Sequence, residues 1–179
     1  MLDALIYIAS TLAANYTAAW FIPMPVFGLV SVGTLFFGVT FTQRDRVHRR
    51  GRRAVYAMIL AAAVLNVLMS ILLGVPWRII LASFTAIILA ETADTEVYQR
   101  LIQRPWIQRV AGSNSVSIPI DTILFTFIAF YGVYPVSMLV AIIFGDIVLK
   151  AIISGMVAIR RSAIPWPRRC GRAPGQAEP

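Results

Sequence analysis

The sequence predicts an all-α polytopic membrane protein, a bundle of six transmembrane helices with both termini in the cytoplasm. Two observations carry this prediction. First, 59% of the 179 residues are hydrophobic and only 13% are charged, against roughly 25% charged residues in a soluble domain. Second, the apolar residues form long runs, whereas most basic residues lie in short segments between them. A soluble fold of this length cannot hide so much apolar surface from water, so lipid is expected to cover it.

Six runs come close to the ~20 apolar residues that a transmembrane helix needs. The connections between helices 1 and 2, 3 and 4, and 5 and 6 are short, nearly uncharged and marked by proline, which is typical of turns. The runs are residues 2–21, 25–42, 54–73, 78–98, 115–132 and 135–159.

The other two connections, Gln43–Arg53 and Gln99–Ser113, are rich in arginine, and so is the C-terminal tail. In a six-helix arrangement, all of the 16 Lys and Arg residues except Arg78 and Lys150 then lie on one side. The positive-inside rule assigns that side to the cytoplasm. Residues 1–161 are therefore expected to form the transmembrane domain, and residues 162–179 a disordered basic cytoplasmic tail.

Cysteine and histidine are too rare to build the common metal or disulfide sites. Cys170 is the single cysteine and His48 the single histidine, which excludes a disulfide framework and a histidine-based zinc site. His48 is interpreted as a solvated residue of the basic loop after helix 2, together with Arg44. No nucleotide-binding motif is present, so any direct use of ATP would need a partner protein. We expect no cofactor and no metal. The net charge of +8 fits membrane topology better than a nucleic-acid groove.

Charged residues inside the predicted helices are the main functional signal, because each costs several kcal/mol near the bilayer centre. At about 1.5 Å of rise per residue, Glu91 lies about 20 Å from the outer face and Asp121 about 9 Å from the cytoplasmic face. These groups therefore share one layer, from the midplane into the cytoplasmic half. The layer consists of Glu91, Asp94, Asp121, Asp146 and Lys150, with Asn15 and Asn66 at similar depth.

Spacing along the helices refines this layer. Glu91, Asp94 and Tyr98 recur at i, i+3 and i+7 and share one helix face. Asp146 and Lys150 are four residues apart and are expected to pair within helix 6. The polar segment 112–121 contains Pro119, which suits the first turn of a helix, so helix 5 is expected to start there, either as an ordinary capped start or as a broken helix facing a cavity.

Three classes of function compete for this pattern. A small-molecule transporter explains polar groups that converge near the midplane of a protein with short loops. A membrane-embedded metal-dependent enzyme would use Glu91, Asp94 and Asp121 as oxygen ligands, but the repeated aspartates, histidines or glycine-rich phosphate loop of such enzymes are lacking. A channel or scaffold would not need five ionisable groups from three helices. We therefore expect a transporter and not an enzyme.

Several motifs resemble the VUT family of six-helix bacterial transporters, which was first grouped as vitamin uptake proteins and is linked to import of queuosine precursors. The segment 90–101 (AETADTEVYQRL) is the most specific, with Ala82-Ser83-Phe84 before it on the same helix. The resemblance continues through Ser113-Asn114, the run 121–125 (DTILF) and Ile128-Ala-Phe130. More loosely, it extends to Asn15, to the run 41–45 (FTQRD) and to Asp146 with Lys150.

The resemblance implies import of 7-cyano-7-deazaguanine or a related deazapurine across the cytoplasmic (inner) membrane, and it adds Asn114 to the candidate site. A carboxylate of Glu91, Asp94 or Asp121 can accept both donors of a guanine-like edge. Aromatic rings can stack on the base, and Asn15 and Asn66 can donate to its acceptors. The aromatic candidates are Tyr98, Phe125 and Phe130. A substrate-binding subunit energised by a separate protein stays an alternative, and a homo-oligomer stays open.

Overall fold

The computed structural model describes residues 2–25, 28–48 and 50–162. A β-hairpin of two short strands, β1 (Phe21–Met24) and β2 (Gly28–Ser31), follows the first helix, and a 3-10 helix (Val32–Phe36) follows β2. Of the predicted tail, Ser162 ends the last helix, whereas residues 163–179, Cys170 included, lie outside the described residues. The helices are α1 (Leu2–Tyr16), α2 (Phe37–His48), α3 (Arg52–Leu72), α4 (Trp77–Arg100), α5 (Trp106–Phe130) and α6 (Val136–Ser162).

The helices form an antiparallel bundle with two distinct ends. At one end, Asp3 at the start of α1 forms ion pairs with Arg46 and Arg50 near the α2–α3 connection. We call this the basic end. At the other end, the hairpin end, the turn after α5 lies beside the start of α4, where the Arg78 guanidinium donates to the Tyr131 carbonyl at 2.7 Å. The arginine-rich connection between α2 and α3 thus lies at the basic end, beside the start of α1 and the last turns of α4, where Arg52 pairs with Glu96.

Apolar side chains cover the outer faces of the bundle. Leu60, Leu68 and Leu72 of α3 and Val140 and Phe144 of α6 are all exposed, which is typical of surfaces that contact lipid rather than water. Within the described part of the chain, three helices are long and apolar enough to cross a membrane: Arg52–Leu72, Trp106–Phe130 and Val136–Ile159. The structure therefore supports a membrane helix bundle, and the number of six spans stays a prediction.

The predicted ends of helices 1 and 2 are wrong. Helix 1 was expected to continue to residue 21, but α1 ends at Tyr16 and the chain enters the hairpin. Pro23 lies within β1, and proline breaks a helix because it lacks an N–H and crowds the preceding turn. Helix 2 was expected over residues 25–42, whereas α2 starts only at Phe37 and continues to His48. Arg44 and His48 are thus helical residues and not loop residues.

The predicted start of helix 5 is also wrong. It begins at Trp106, so the segment 112–121 lies in mid-helix and Pro119 is an interior proline. The polar side chains that suggested a helix start are instead bound by neighbouring helices. Ser117 donates to Asp94 on α4 at 3.0 Å, and Asn114 donates to Ser154 on α6 at 2.6 Å. Tertiary hydrogen bonds therefore make this polar run compatible with a buried helix.

Candidate functional site

A cavity of about 100 Å³ lies inside the bundle, between α1, α2, α4, α5, α6 and the 3-10 helix. Four of its lining residues are ionisable at neutral pH: Glu91, Asp121, Asp146 and Lys150. Phe37 and Phe125 add aromatic rings. The remaining lining residues are mostly small or hydroxyl-bearing: Tyr7, Thr11, Ala14, Asn15, Ala18, Ser31, Gly33, Thr34, Thr40 and Ile87.

Close approach of the 3-10 helix to α1 forms one wall of this cavity. A Cβ atom added to Gly33 would lie 2.3 Å from the backbone oxygen of Ala14, so only glycine fits between the two backbones. The Ser31 hydroxyl donates to the Ala18 carbonyl at 2.9 Å and accepts from the Gly33 N–H at 3.2 Å. These contacts hold the end of the hairpin against α1 and bring Thr34 to the cavity.

Lys150 pairs with Asp121 across the α5–α6 contact. Its Nζ lies 2.6 Å from Asp121 Oδ2 and 3.0 Å from the Thr122 hydroxyl. The ammonium also lies 4.7 Å from the centroid of the Phe37 ring, within the range of a cation–π contact. The expected Lys150–Asp146 pair is therefore wrong, because the lysine side chain reaches to the neighbouring helix instead of back along its own.

Asp146 binds the hairpin instead. Its Oδ1 accepts from the Ser31 N–H at 3.1 Å and from the Thr34 hydroxyl at 2.8 Å. No cation lies within ion-pair distance of Asp146 among the residues whose side chains the structure describes. The carboxylate thus ties α6 to the segment between β2 and α2.

Arg44 occupies the centre of a second polar group next to the cavity. The side chain is fully buried, with 1% of the residue exposed. Its guanidinium lies 3.0 Å from Glu91 Oε2, 3.0 Å from Asp94 Oδ1 and 3.1 Å from Asn114 Oδ1. Glu91 belongs both to this group and to the cavity lining. The Arg44 cluster consists of Arg44, Glu91, Asp94, Asn114, Ser117 and Ser154.

Three predicted residues lie outside both the cavity lining and the Arg44 cluster. Asn66 on α3 is fully buried, and neither of its side-chain atoms has a hydrogen-bond partner in the described part of the chain. Tyr98 stacks on His48 with ring centroids 4.4 Å apart, and the Arg109 guanidinium lies 5.4 Å from the Tyr98 ring centroid. His48 is 7% exposed, which corrects its interpretation as a solvated residue. Phe130 packs on Phe21 near the hairpin.

The structure thus separates the predicted site residues into two groups. Asn15, Glu91, Asp121, Asp146 and Lys150 line the cavity. Asn15 also accepts a hydrogen bond from Ser83 on α4 at 2.8 Å. Asp94 and Asn114 contact the cavity only through the Arg44 cluster, and Asn66 and Tyr98 belong to neither group.

Sequence reasoning missed several lining or adjacent residues. Tyr7 and Thr11 precede Asn15 at spacings of four, so a polar stripe along the first apolar run was a usable signal. Thr34 and Phe37 gave no comparable signal, because the break before α2 was not predicted. Arg44 was counted among the loop arginines, and only its partners on α4 and α5 reveal its position.

The cavity offers carboxylate acceptors, one ammonium donor, hydroxyl groups and the three aromatic rings of Tyr7, Phe37 and Phe125. Such a mixture suits a small planar polar ligand, whose orientation a few converging polar groups can fix. Within the ranges 2–25, 28–48 and 50–162, no group of three or more histidine, cysteine, aspartate or glutamate side chains is placed to hold a metal ion. The metal-dependent alternative therefore gains no support from the side-chain geometry.

Comparison with protein families identified a matching family model. The family model described as "putative vitamin uptake transporter" matches residues 69–159, just over half of the 179 residues. The matched segment contains all of α4 and α5 and most of α6, and hence all four ionisable lining residues. No curated protein and no solved structure matches the chain.

Proposed function

Because the chain belongs to the vitamin uptake transporter (VUT) family, we propose that it imports a queuosine precursor, 7-cyano-7-deazaguanine or a related deazapurine, across the cytoplasmic membrane. Membership of this family indicates a vitamin-type uptake transporter. The observation that carries the substrate proposal is the cavity, in which carboxylates of Glu91 and Asp121 lie among the same lining residues as the rings of Phe37 and Phe125.

The chemistry of the cavity matches that of a deazaguanine. A guanine-like edge presents an N1–H and an exocyclic amine, and one carboxylate can accept both donors. Glu91 and Asp121 each have an ion-pair partner at one carboxylate oxygen, Oε2 for Glu91 and Oδ2 for Asp121. Asn15 Nδ2 has no hydrogen-bond partner among the described residues, so it can donate to the O6 carbonyl oxygen or the nitrile. The rings of Phe37 and Phe125 provide surfaces on which a base can stack.

Transport of such a substrate requires the cavity to widen. Its volume of about 100 Å³ is below the ~300 Å³ of the smallest typical ligand pockets. Two ion pairs join the helices that line it, Arg44–Glu91 and Lys150–Asp121. Under this proposal, the cavity of the described state is narrower than the substrate needs, and binding selects a wider arrangement of the same helices.

Complementation tests the substrate. The gene is expressed in a bacterial host that lacks its own precursor importer and cannot make the precursor, and the deazapurine is supplied in the medium. We expect queuosine to reappear in the tRNA of the host. No queuosine, with the protein present in the membrane, would refute the substrate assignment. Binding of labelled deazapurine by the purified chain, without uptake into proteoliposomes that contain it alone, would favour the partner-energised alternative.

Neutral variants of the cavity acids test the site. Glu91→Gln and Asp121→Asn should abolish uptake of labelled deazapurine and leave membrane abundance near that of the wild type. Glu96→Gln is the matched control, because Glu96 lies on the same helix as Glu91 but contacts Arg52 and Tyr56 instead of the cavity. Full uptake by both cavity variants would show that the substrate binds elsewhere.

A further inference from the structure

Arg44 is a fully buried cation that does not line the cavity. Burial of a guanidinium is tolerated when carboxylates and hydrogen-bond acceptors compensate for the lost water. Arg44 meets this condition through Glu91 and Asp94 on α4 and Asn114 on α5. Its own helix, α2, is the shortest of the six described.

Among these three partners, Glu91 is the one that borders both the guanidinium and the cavity. Arg44 holds Glu91 Oε2 at 3.0 Å, and the Glu91 side chain is 14% exposed. Asp94 is fully buried and is held by Arg44 and by the Ser117 hydroxyl. Glu91 and Asp94 therefore have different surroundings, although they are only three residues apart.

The other members of the Arg44 cluster keep the guanidinium in place. Asn114 accepts from Arg44 and donates to Ser154 of α6, and Ser117 bridges α5 to Asp94. Arg44 thus binds α4 and α5 directly and is linked to α6 through Asn114. A guanidinium is suited to such a place, because its several N–H groups have a rigid geometry and can bind more than one acceptor.

We propose that Arg44 is a positioning residue that fixes the Glu91 carboxylate at the cavity wall and balances its charge, without itself touching the substrate. The proposal rests on the proposed function in one respect, namely that Glu91 contacts the transported molecule. Arg44→Gln should release Glu91, whereas Arg44→Lys should retain the charge and part of the geometry.

A substrate-free experiment tests whether Arg44 holds the Glu91 carboxylate and balances its charge. The purified full-length chain in lipid nanodiscs is treated with dicyclohexylcarbodiimide, which modifies protonated carboxyl groups in apolar surroundings, and the labelled peptides are quantified by mass spectrometry. An adjacent cation favours the ionised carboxylate, so Arg44→Gln should raise labelling of Glu91 severalfold, and Arg44→Lys should stay near the wild type. Labelling of Asp121, which Lys150 holds, should not change. Unchanged Glu91 labelling, or a parallel rise at Asp121, would overturn the proposal.

Two further variants separate positioning from folding. Asp94→Asn leaves the Arg44–Glu91 pair intact and should not raise Glu91 labelling. The double variant Arg44→Gln/Asp94→Asn removes one charge of each sign, so one acid in excess remains, as in the wild type, and the protein is expected to fold even if the single variant does not. Glu91 should again react severalfold more in the double variant, and failure to do so would contradict the proposal.

Uptake kinetics test whether the Glu91 that Arg44 positions contacts the substrate. Arg44→Gln should raise the KM for labelled deazapurine severalfold, and the KM of Arg44→Lys should be much closer to that of the wild type. If Glu91 labelling rises while the KM is unchanged, Arg44 does not position a substrate contact and the proposal is overturned. If the wild type does not take up deazapurine, the proposed function fails, whereas the labelling result still decides whether Arg44 holds Glu91.

Discussion

Lys150 Nζ lies 2.6 Å from Asp121 Oδ2, so an ion pair joins α6 to α5 at the wall of the cavity. Asp146, one turn earlier on α6, takes its hydrogen bonds from Ser31 and Thr34 instead. Lys150 and Asp146 therefore bind different neighbours. The Lys150 contact joins α6 to α5, and the Asp146 contacts join α6 to the end of the hairpin and the 3-10 helix.

Loss of Lys150 should destabilise the protein through Asp121. Lys150→Met leaves the carboxylate without its cation, which costs ~3–5 kcal/mol when the pair is fully buried. The Asp121 side chain is 25% exposed, so we expect a smaller loss of about 2 kcal/mol after allowing for its screening. Thermal unfolding of the purified chain measures this loss of stability. Lys150→Met/Asp121→Asn should recover most of the loss, and an equally unstable double variant would contradict the pairing.

Replacement of Asn66 should leave transport intact. Its amide is fully buried and unpartnered in the described structure, so Asn66→Leu removes an unsatisfied polar group while keeping a similar shape. We expect uptake like that of the wild type and stability equal or higher by about 1 kcal/mol. Asn15→Leu is the contrasting variant, because Asn15 lines the cavity and accepts from Ser83. A loss of uptake in Asn66→Leu would show that Asn66 is part of the substrate site.

Gly33 should tolerate no side chain. The Cβ of Gly33→Ala would meet the Ala14 carbonyl oxygen at 2.3 Å, and overpacking of this kind costs ~1–3 kcal/mol. Gly155→Ala on α6 is the control, since an added Cβ there meets nothing within 4 Å, and alanine favours a helix by up to ~1 kcal/mol. Unfolding midpoints should therefore shift in opposite directions. A neutral Gly33→Ala would mean that the 3-10 helix and α1 are not in contact.

Cysteine labelling tests the predicted six spans and orientation. In a Cys170→Ser background, Leu73→Cys at the hairpin end should react with a membrane-impermeant maleimide in intact cells. Arg50→Cys and Arg104→Cys at the basic end should react only after permeabilisation. All three native side chains are exposed, whereas His48 is too buried to serve as a reporter. Labelling of the basic-end positions from outside would reverse the predicted topology.

Local chemistry explains which parts of the fold were predictable. The turns after α3 and α5 contain Gly74 and Gly132, both with positive φ, and each is followed by a proline that starts the next helix or stands just before it. These signals fixed the bounds of α3, α4 and α6 to within a few residues. Turn residues of this kind act locally, so the sequence carries them plainly.

Long-range partners explain what was missed. Arg44 lies in an arginine-rich stretch that is typical of a loop. Only its ion pairs with Glu91 and Asp94 on another helix make its burial tolerable. The polar run around Pro119 resembles a helix start, yet Asp94 and Ser154 bind its side chains. Depth and spacing therefore found most of the cavity acids, but not which charge each of them faces.

The hairpin and the 3-10 helix have a consequence for water. The 12 residues of α2 rise only about 18 Å, short of the ~30 Å hydrocarbon core, so the 3-10 helix and part of the hairpin must complete this crossing in a six-span arrangement. Irregular backbone is tolerated at membrane depth only where it is buried in protein or lines a water-filled cavity. Ser31, Gly33 and Thr34 border the cavity. We therefore expect the cavity to be hydrated, so that an incoming solute must displace ordered water before it meets the acids.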